Sequence, residues 1–474
     1  MNLTRRRFLE LGALALSSSL CCSTASRRSK PNIIFILADD LGYGDLGCYG
    51  QSRIRTPNLD RMAAEGIRFT DFYAGSTVCA PSRCSLMTGL HCGHARIRGN
   101  SRQPLLPEDV TAAEWLKKAG YRTGLIGKWG LGESGSSGHP NLKGFDFFYG
   151  YLNQIHAHNY YPGYLWRNSE REALEGNVVE RVTEGYAKGI GGMAREKKHY
   201  SHDLFTAEAL RFVRDSRNAP FFLYLAYTAP HANNEARHFG VHGMEVPDYG
   251  PYATESWPDA QKGHAAMITR MDRDIGSLLG LLNELGLDRD TVVFFSSDNG
   301  PHKEGGVDPE FNDSNAALRG IKRDLYEGGI RVPLIARWPG RFEAGRVSDR
   351  AAAFWDMLPT FADLAGAGSA DSIDGISLLP ELLAEGAAGS EGGEKAERAL
   401  YWEFHERDST VQAVRRGAWK GIRFSPDSPL ELYDLKADLG ESDNIASQHP
   451  DVVRRLEDDL ESERTPSEQW PLRR

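Results

Sequence analysis

Two acidic pairs stand out in the sequence. Asp39-Asp40 closes the run "NIIFILADD", and Asp298-Asn299 closes "TVVFFSSDNG". Adjacent buried carboxylates are costly unless a cation neutralises them. Three carboxylates and one amide oxygen make a hard, all-oxygen donor set, which suits Ca2+ or Mg2+. A zinc site would present histidine nitrogens or thiolates, and Asn299 is neither. One such pair alone could cap a following helix. Two pairs, each ending an apolar strand, favour a metal.

Cys79 lies in "TVCAPSRCSLMTGLH". Pro81 suits a first helical turn, which puts Cys79 near a helix N-terminus where an anion is favoured. A thiolate nucleophile fits there, and so does a small buried cysteine. Cys84 and Cys92 read as packing residues. The six cysteines, Cys21, Cys22, Cys48, Cys79, Cys84 and Cys92, are too few for a disulfide scaffold and lack zinc-ligand spacing. Lys128 ends "YRTGLIGKWG" and His231 ends "PFFLYLAYTAPH". Considered singly, Lys128 and Lys322 are solvated charges and His231 is a loop cap.

The elements that must position these groups are four apolar runs, at 32–40, 121–130, 220–231 and 291–300. Runs of this length and β-branched content predict strands buried on both faces of a parallel sheet. Helical patterns separate them, "TPNLDRMAAEGI", "TAAEWLKKAG", "DLFTAEALRFVRDS" and "HAAMITRMDRDIGSLLGLLNELG". The alternation predicts an α/β sandwich, with the crevice at the carboxyl ends of the strands. Every predicted strand end carries an ionisable or metal-competent group. After about Gly375 the texture changes. The stretch 385–397, "EGAAGSEGGEKAE", reads as a linker, and 398–474 as a small domain of antiparallel strands and a helix.

The chain has 474 residues, 40% hydrophobic and 26% charged, with net charge −9, so it carries no basic footprint for nucleic acid. Residues 1–30 begin with a cationic stretch and a short apolar run, an export signal that leaves 31–384 as the catalytic part. Thr4-Arg5-Arg6-Arg7-Phe8-Leu9 resembles a twin-arginine signal, which predicts a periplasmic or extracellular protein. Cys21 or Cys22 could carry a lipid anchor, although the residues before them fit a lipoprotein box poorly. No segment is long and apolar enough to span a membrane.

Cys79-Ala80-Pro81-Ser82-Arg83 resembles the C-x-P-x-R signature of the type I sulfatases of the alkaline phosphatase superfamily. The likeness extends through "ADDLGYGDLGCYG", "GLIGKWGLG", "GFDFFYGY", "SSDNGPH" and "RGIKRDLYEGGIRVPLIARWPG", in the family's order. It implies an alkaline-phosphatase-like α/β/α sandwich and a sulfuric ester hydrolase, with a sulfated small molecule or carbohydrate as substrate. It also implies that a maturase, a transient partner, oxidises Cys79 to Cα-formylglycine (3-oxoalanine). The hydrate of that residue supplies one oxygen to attack sulfur and a second to expel sulfate. By the same resemblance Asp39, Asp40, Cys79, Asp298 and Asn299 hold Ca2+ (Mg2+ fits the family less well). Arg83 holds the modified residue, Lys128 and Lys322 contact sulfate, and His231 is a general acid at the leaving group.

One departure bears on mechanism. Many sulfatases read K-W-H where this chain has Lys128-Trp129-Gly130, and that histidine serves as the base for sulfate elimination. Downstream, "NQIHAHNYYPGYLW" offers His158, and after it His156, as the replacement. His302, beside the second acidic pair, is a further candidate for substrate contact. The alternatives are a phosphomonoesterase or phosphonate hydrolase on the same fold, and an inactive binding protein in which Cys79 stays a thiol.

Overall fold

The computed structural model describes residues 30–368, 372–384 and 398–474. The export signal, Cys21, Cys22 and the 385–397 linker lie outside the described residues. Among the described residues no helix is long and apolar enough to cross a membrane.

Ten strands share one sheet: β1 Asn32–Asp39, β2 Ile67–Phe69, β3 Arg122–Lys128, β4 Phe147–Tyr151, β5 Tyr164–Arg167, β6 Glu170–Ala173, β7 Phe221–Pro230, β8 Thr291–Ser297, β9 Leu334–Arg337 and β10 Arg346–Ser348. Their order is β10-β2-β9-β8-β1-β7-β3-β4-β5-β6. The four predicted strands are the contiguous centre, β8-β1-β7-β3, and all pair in parallel. Antiparallel strands flank them: β9 beside β8, then β5 and β6 beyond β4. These flanking strands are short or half-exposed, and the sequence pattern does not announce them.

Every residue of β1 is buried. Its alternation sorts the helices into two layers. Ile33, Phe35 and Leu37 pack with side chains of α2 (Cys79–Thr88), α3 (Ala112–Lys118) and α6 (Met357–Ala365). Ile34, Ile36 and Ala38 pack with those of α1 (Pro57–Ala64), α4 (Ser201–Ser216) and α5 (Asp259–Glu284). Period-two strands between period-3.6 helices give an α/β/α sandwich with the sheet wholly inside.

The C-terminal residues form a four-stranded antiparallel sheet, β11 Ala399–Phe404, β12 Val411–Arg416, β13 Trp419–Arg423 and β14 Glu431–Asp434. Helix α7 (Pro450–Ser462) covers one face through Leu456 and Leu460. The other face is not free: Leu400, Trp402, Ala413 and Ile422 pack on Tyr73, Val78, Ile330 and Trp355 of the sandwich. At this seam Lys420 Nζ lies 2.8 Å from Glu327 and 2.9 Å from Glu441, with all three side chains fully buried. Without Lys420, Glu327 keeps Arg331 and Tyr73 but Glu441 loses its ion pair, and breaking a buried pair costs about 3–5 kcal/mol. Lys420→Met is therefore expected to destabilise the protein by that amount in denaturant titrations. A loss under 1 kcal/mol would show that the seam tolerates the Glu441 carboxylate without its ion pair.

Candidate active site

Strand register assembles the site. Asp39 lies opposite Pro230 in the β1–β7 ladder, and Ala38 lies opposite Ser297 in the β1–β8 ladder. Asp39-Asp40, His231 and Asp298-Asn299 therefore leave the sheet side by side, and Lys128 closes β3 on the same edge. Successive strand residues point to opposite faces. Asp40 escapes that rule through a left-handed backbone (φ +65°), a conformation that aspartate tolerates better than most residues. Both carboxylates can then face one crevice.

Cys79 is the first residue of α2, with its Sγ 3.4 Å from Asp39 Oδ1. Arg83, one turn further on, donates to Asp298 Oδ2 from Nε (3.0 Å) and Nη2 (2.8 Å), and from Nη1 to the Lys128 carbonyl (2.8 Å). One guanidinium thus ties α2 to the ends of β8 and β3. Lys128 Nζ donates to Asp39 Oδ2 (2.7 Å), and Lys322 Nζ to Asp40 Oδ2 (2.7 Å). Asn299 Nδ2 donates to Asp40 Oδ1 (2.7 Å) and to the Gly300 carbonyl, while its buried Oδ1 has no hydrogen-bond partner among the described residues.

The electrostatics fit a cation. Burial and the carboxylates of Asp39 and Asp40 push Asp298 up to about 7, although Arg83 opposes them. Burial also works against Asp39, yet the charges of Lys128 and Arg83 hold its carboxyl well below the usual range. The Cys79 thiol is pushed well up by burial and by the Asp39 carboxylate, so the unmodified side chain is a neutral thiol rather than a thiolate. Three carboxylates and an orphaned amide oxygen form a donor set for a hard divalent ion, with His231 Nε2 at its edge, 3.4 Å from Asp40 Oδ2.

Above this floor lies a cleft of about 490 Å3. Cys79, His231 and Lys322 line it, while Asp39, Asp40, Arg83, Asp298 and Asn299 sit buried beneath. His231 Nδ1 donates to the Ala232 carbonyl (2.7 Å), so Nε2 accepts from Lys322 Nζ at 3.2 Å. Burial and Lys322 lower His231 to about 3, which keeps the ring neutral.

The remaining histidines separate. His158 lines the cleft and stacks on His231, with ring centroids 4.7 Å apart and planes 16° apart. Its Nδ1 lies 3.0 Å from Glu235 Oε2. His156 is instead buried between Tyr151 and Tyr164 and does not line the cleft. It therefore does not enter the cleft as the alternative for it requires, and burial lowers it to about 3. His302 is buried behind His231, at 6.0 Å between centroids, and it too does not line the cleft. Gly130 has φ +81°, and a Cβ there would meet Gln154 Cγ at 3.0 Å. A histidine in that slot would be strained in this backbone.

Sequence reasoning missed two carboxylates. Glu235 holds His158, and Glu304 lies 3.5 Å from Lys322 Nζ. Each sits in a polar loop near a predicted strand end, but nothing in its local pattern distinguishes it from a solvated acid.

The fold and the buried crevice define a hydrolase of ester-bound oxyanions in an α/β/α sandwich. The sequence model of the sulfatase family matches residues 31–367, and that of the N-sulphoglucosamine sulphohydrolase C-terminal region matches 321–466. The chain therefore belongs to the sulfatase family and is a sulfuric ester hydrolase. It is 30% identical to the N-acetylgalactosamine-6-O-sulfatase of Bacteroides thetaiotaomicron over 92% of this chain and 93% of that protein. It is 33% identical to human arylsulfatase A over 94% and 88%. Among solved structures, Ps i-CgsB in complex with k-i-k-neocarrahexaose superposes with TM-score 0.76 at 26% identity, covering 91% of this chain and 92% of that one. A Bacteroides thetaiotaomicron sulfatase from work on glycosaminoglycan metabolism gives TM-score 0.73 at 28% identity, covering 92% and 99%.

Proposed function

We propose that the protein is an exported sulfatase that removes sulfate from a sulfated carbohydrate, with Cys79 converted to formylglycine and Ca2+ held by Asp39, Asp40, Asp298 and Asn299. The observation that carries this reading is the Cys79 side chain, at the floor of the cleft and 3.4 Å from the buried acidic cluster. Relatives named for N-acetylgalactosamine-6-sulfate and the solved complex with a carbohydrate support the substrate class. The formylglycine hydrate would supply the oxygen nucleophile that a buried neutral thiol cannot, and the calcium would supply positive charge to a sulfate oxygen. Cys79 is 2% exposed and every residue of α2 is buried. A maturase must therefore reach this segment before the chain folds.

The chain's own groups divide the remaining work. Lys128 and Lys322 place positive charge beside the sulfate. Arg83 fixes the helix that carries Cys79. The Lys322 ammonium, 3.2 Å from His231 Nε2, is the proton source, and His231 Nε2 takes that proton and passes it to the leaving oxygen. His158 takes the role left open at Gly130, and the Glu235 carboxylate orients it, holding the proton on Nδ1 and leaving Nε2 as the base. His158→Ala is expected to lower kcat by roughly 10²–10⁴-fold, the usual range for a general acid or base. Glu235→Gln should lower it by a smaller factor. Gly130→His should not restore turnover to His158→Ala, because the backbone at 130 is left-handed. Turnover by His158→Ala within a few-fold of wild type would remove His158 from the mechanism.

The substrate class is tested with a panel of sulfated hexosamines, sulfated hexoses, an aryl sulfate and the matched phosphate esters. Sulfate release should dominate, with a sulfated sugar preferred. Faster release of phosphate would overturn the reading.

A further inference from the structure

The cleft continues beyond the floor to a mouth that the hydrolysis of one sulfate ester does not use. Glu184, Tyr186 and Ala187 line it from the loop joining the strands Val178–Arg181 and Gly192–Glu196. Arg181 braces that loop, with Nη1 donating to the carbonyls of Gly189 (3.1 Å) and Ile190 (2.9 Å). Tyr186 is 71% exposed, the most exposed large hydrophobic side chain among the described residues. Its ring carries the Arg102 guanidinium 5.6 Å from the centroid. Arg102 comes from a segment far away in sequence and lines the same cleft, as does Arg237.

The charges of the cleft are unequally committed. Lys322 is bound to Asp40, Arg323 to Glu304, Glu235 to His158, Glu133 to Asn153 and Glu406 to the Asn100 backbone N–H. Arg102 and Arg237 are exposed and have neither a carboxylate nor a hydrogen-bond partner among the described residues. Glu184 is the acid of the cleft lining that has no partner among the described residues. An exposed aromatic ring with one unpaired guanidinium beside it, and a second lining the same cleft, suits a sugar that bears an acid. The ring takes the apolar face of the pyranose, and the guanidiniums take the oxyanion in charge-assisted hydrogen bonds.

We propose that Arg102, Tyr186 and Arg237 form a second binding site that takes the sugar next to the sulfated one and pairs with an anionic group on it. The substrate is then a sulfated oligosaccharide with a second acidic residue, rather than an isolated sulfated sugar. This rests on the carbohydrate reading above. It also places the recognition of further negative charge in a local site, as a chain of net charge −9 requires.

Calorimetric binding to Cys79→Ala protein tests the site without turnover. The probes are a sulfated hexosamine alone, and the same sugar joined to a neutral sugar, to a uronic acid or to a second sulfated sugar. One of the two acidic disaccharides, at least, should bind roughly tenfold or more tightly than the neutral one, the worth of one charged hydrogen bond. The two acidic probes distinguish a carboxylate from a sulfate as the preferred group. Arg102→Ala and Arg237→Ala should erase the preference, and Tyr186→Ala should weaken all disaccharides, with the monosaccharide unchanged in each case. Equal affinity for neutral and acidic disaccharides, or variants that weaken the monosaccharide equally, would overturn the proposal. Sulfate release from the same probes by wild-type protein is read separately. Its absence, with the binding preference intact, would sink the catalytic reading and leave the second site standing.

Discussion

Protein co-produced with a formylglycine-generating maturase is expected to yield a peptide across Thr77–His91 about 18 Da lighter than its cysteine form, one oxygen gained for one sulfur and two hydrogens lost. Cys79→Ala should lose sulfate ester turnover by roughly four orders of magnitude or more, as removal of a covalent nucleophile does. The argument rests on the surroundings of Cys79. A thiol in this place is buried at the foot of the cleft and beside Asp39, which disfavours the thiolate that a cysteine nucleophile requires. Yet the position itself suits an anionic oxygen, at the start of a helix and beside the acidic cluster proposed to hold calcium. An alanine there removes a small side chain from a helix tied down by Arg83, so the variant should stay folded. Full activity in protein whose peptide retains the cysteine mass would refute the assignment.

Calcium is expected to bind one to one and to raise the melting temperature, while exhaustive chelation removes activity. A ligand present at 100 times its Kd, and bound only by the folded protein, adds about 2.7 kcal/mol of stability. Here the gain comes from neutralising carboxylates that burial and mutual repulsion destabilise, the strain that pushes Asp298 up to about 7. The orphaned Asn299 Oδ1 would gain a partner as well. Asp40→Asn should abolish the calcium-dependent rise in melting temperature while the protein stays folded: the amide oxygen keeps one of the two contacts, to Lys322 or Asn299, and removing one buried carboxylate relieves the repulsion on Asp298. The readout is thermal, so it stands apart from turnover. An unchanged melting temperature across a calcium titration of wild-type protein would exclude the site.

Local pattern accounts for a large part of this molecule. The four apolar runs are legible because strands buried on both faces must be apolar throughout, and they form the centre of the sheet. Asp39, Asp40, Lys128, His231, Asp298 and Asn299 are legible because parallel strands present their carboxyl ends on one edge, so charged residues there converge without further information. Cys79, Arg83 and Lys322 are legible through the spacing of the sulfatase signature rather than through any periodicity. The flanking strands β5, β6 and β9 are not, because a short or half-exposed strand carries little pattern of its own.

Tertiary structure decided what depends on distance across the chain. The sequence offers His158 first and His156 second, two residues apart. The fold buries His156 between Tyr151 and Tyr164 and stacks His158 on His231, because the turn at 156–158 sends the two rings in different directions. Glu235 is an ordinary acid until the chain brings it to His158, and Arg102 is a surface cation until it meets Tyr186. The C-terminal sheet reads as a separate unit, yet one of its faces completes the core beside α2 through Trp402, whose Nε1 donates to the Ala74 carbonyl. Secondary structure and strand-end chemistry follow from neighbours along the chain. Which histidine faces the cleft, and which carboxylate holds it, follow from packing between segments that no local pattern connects.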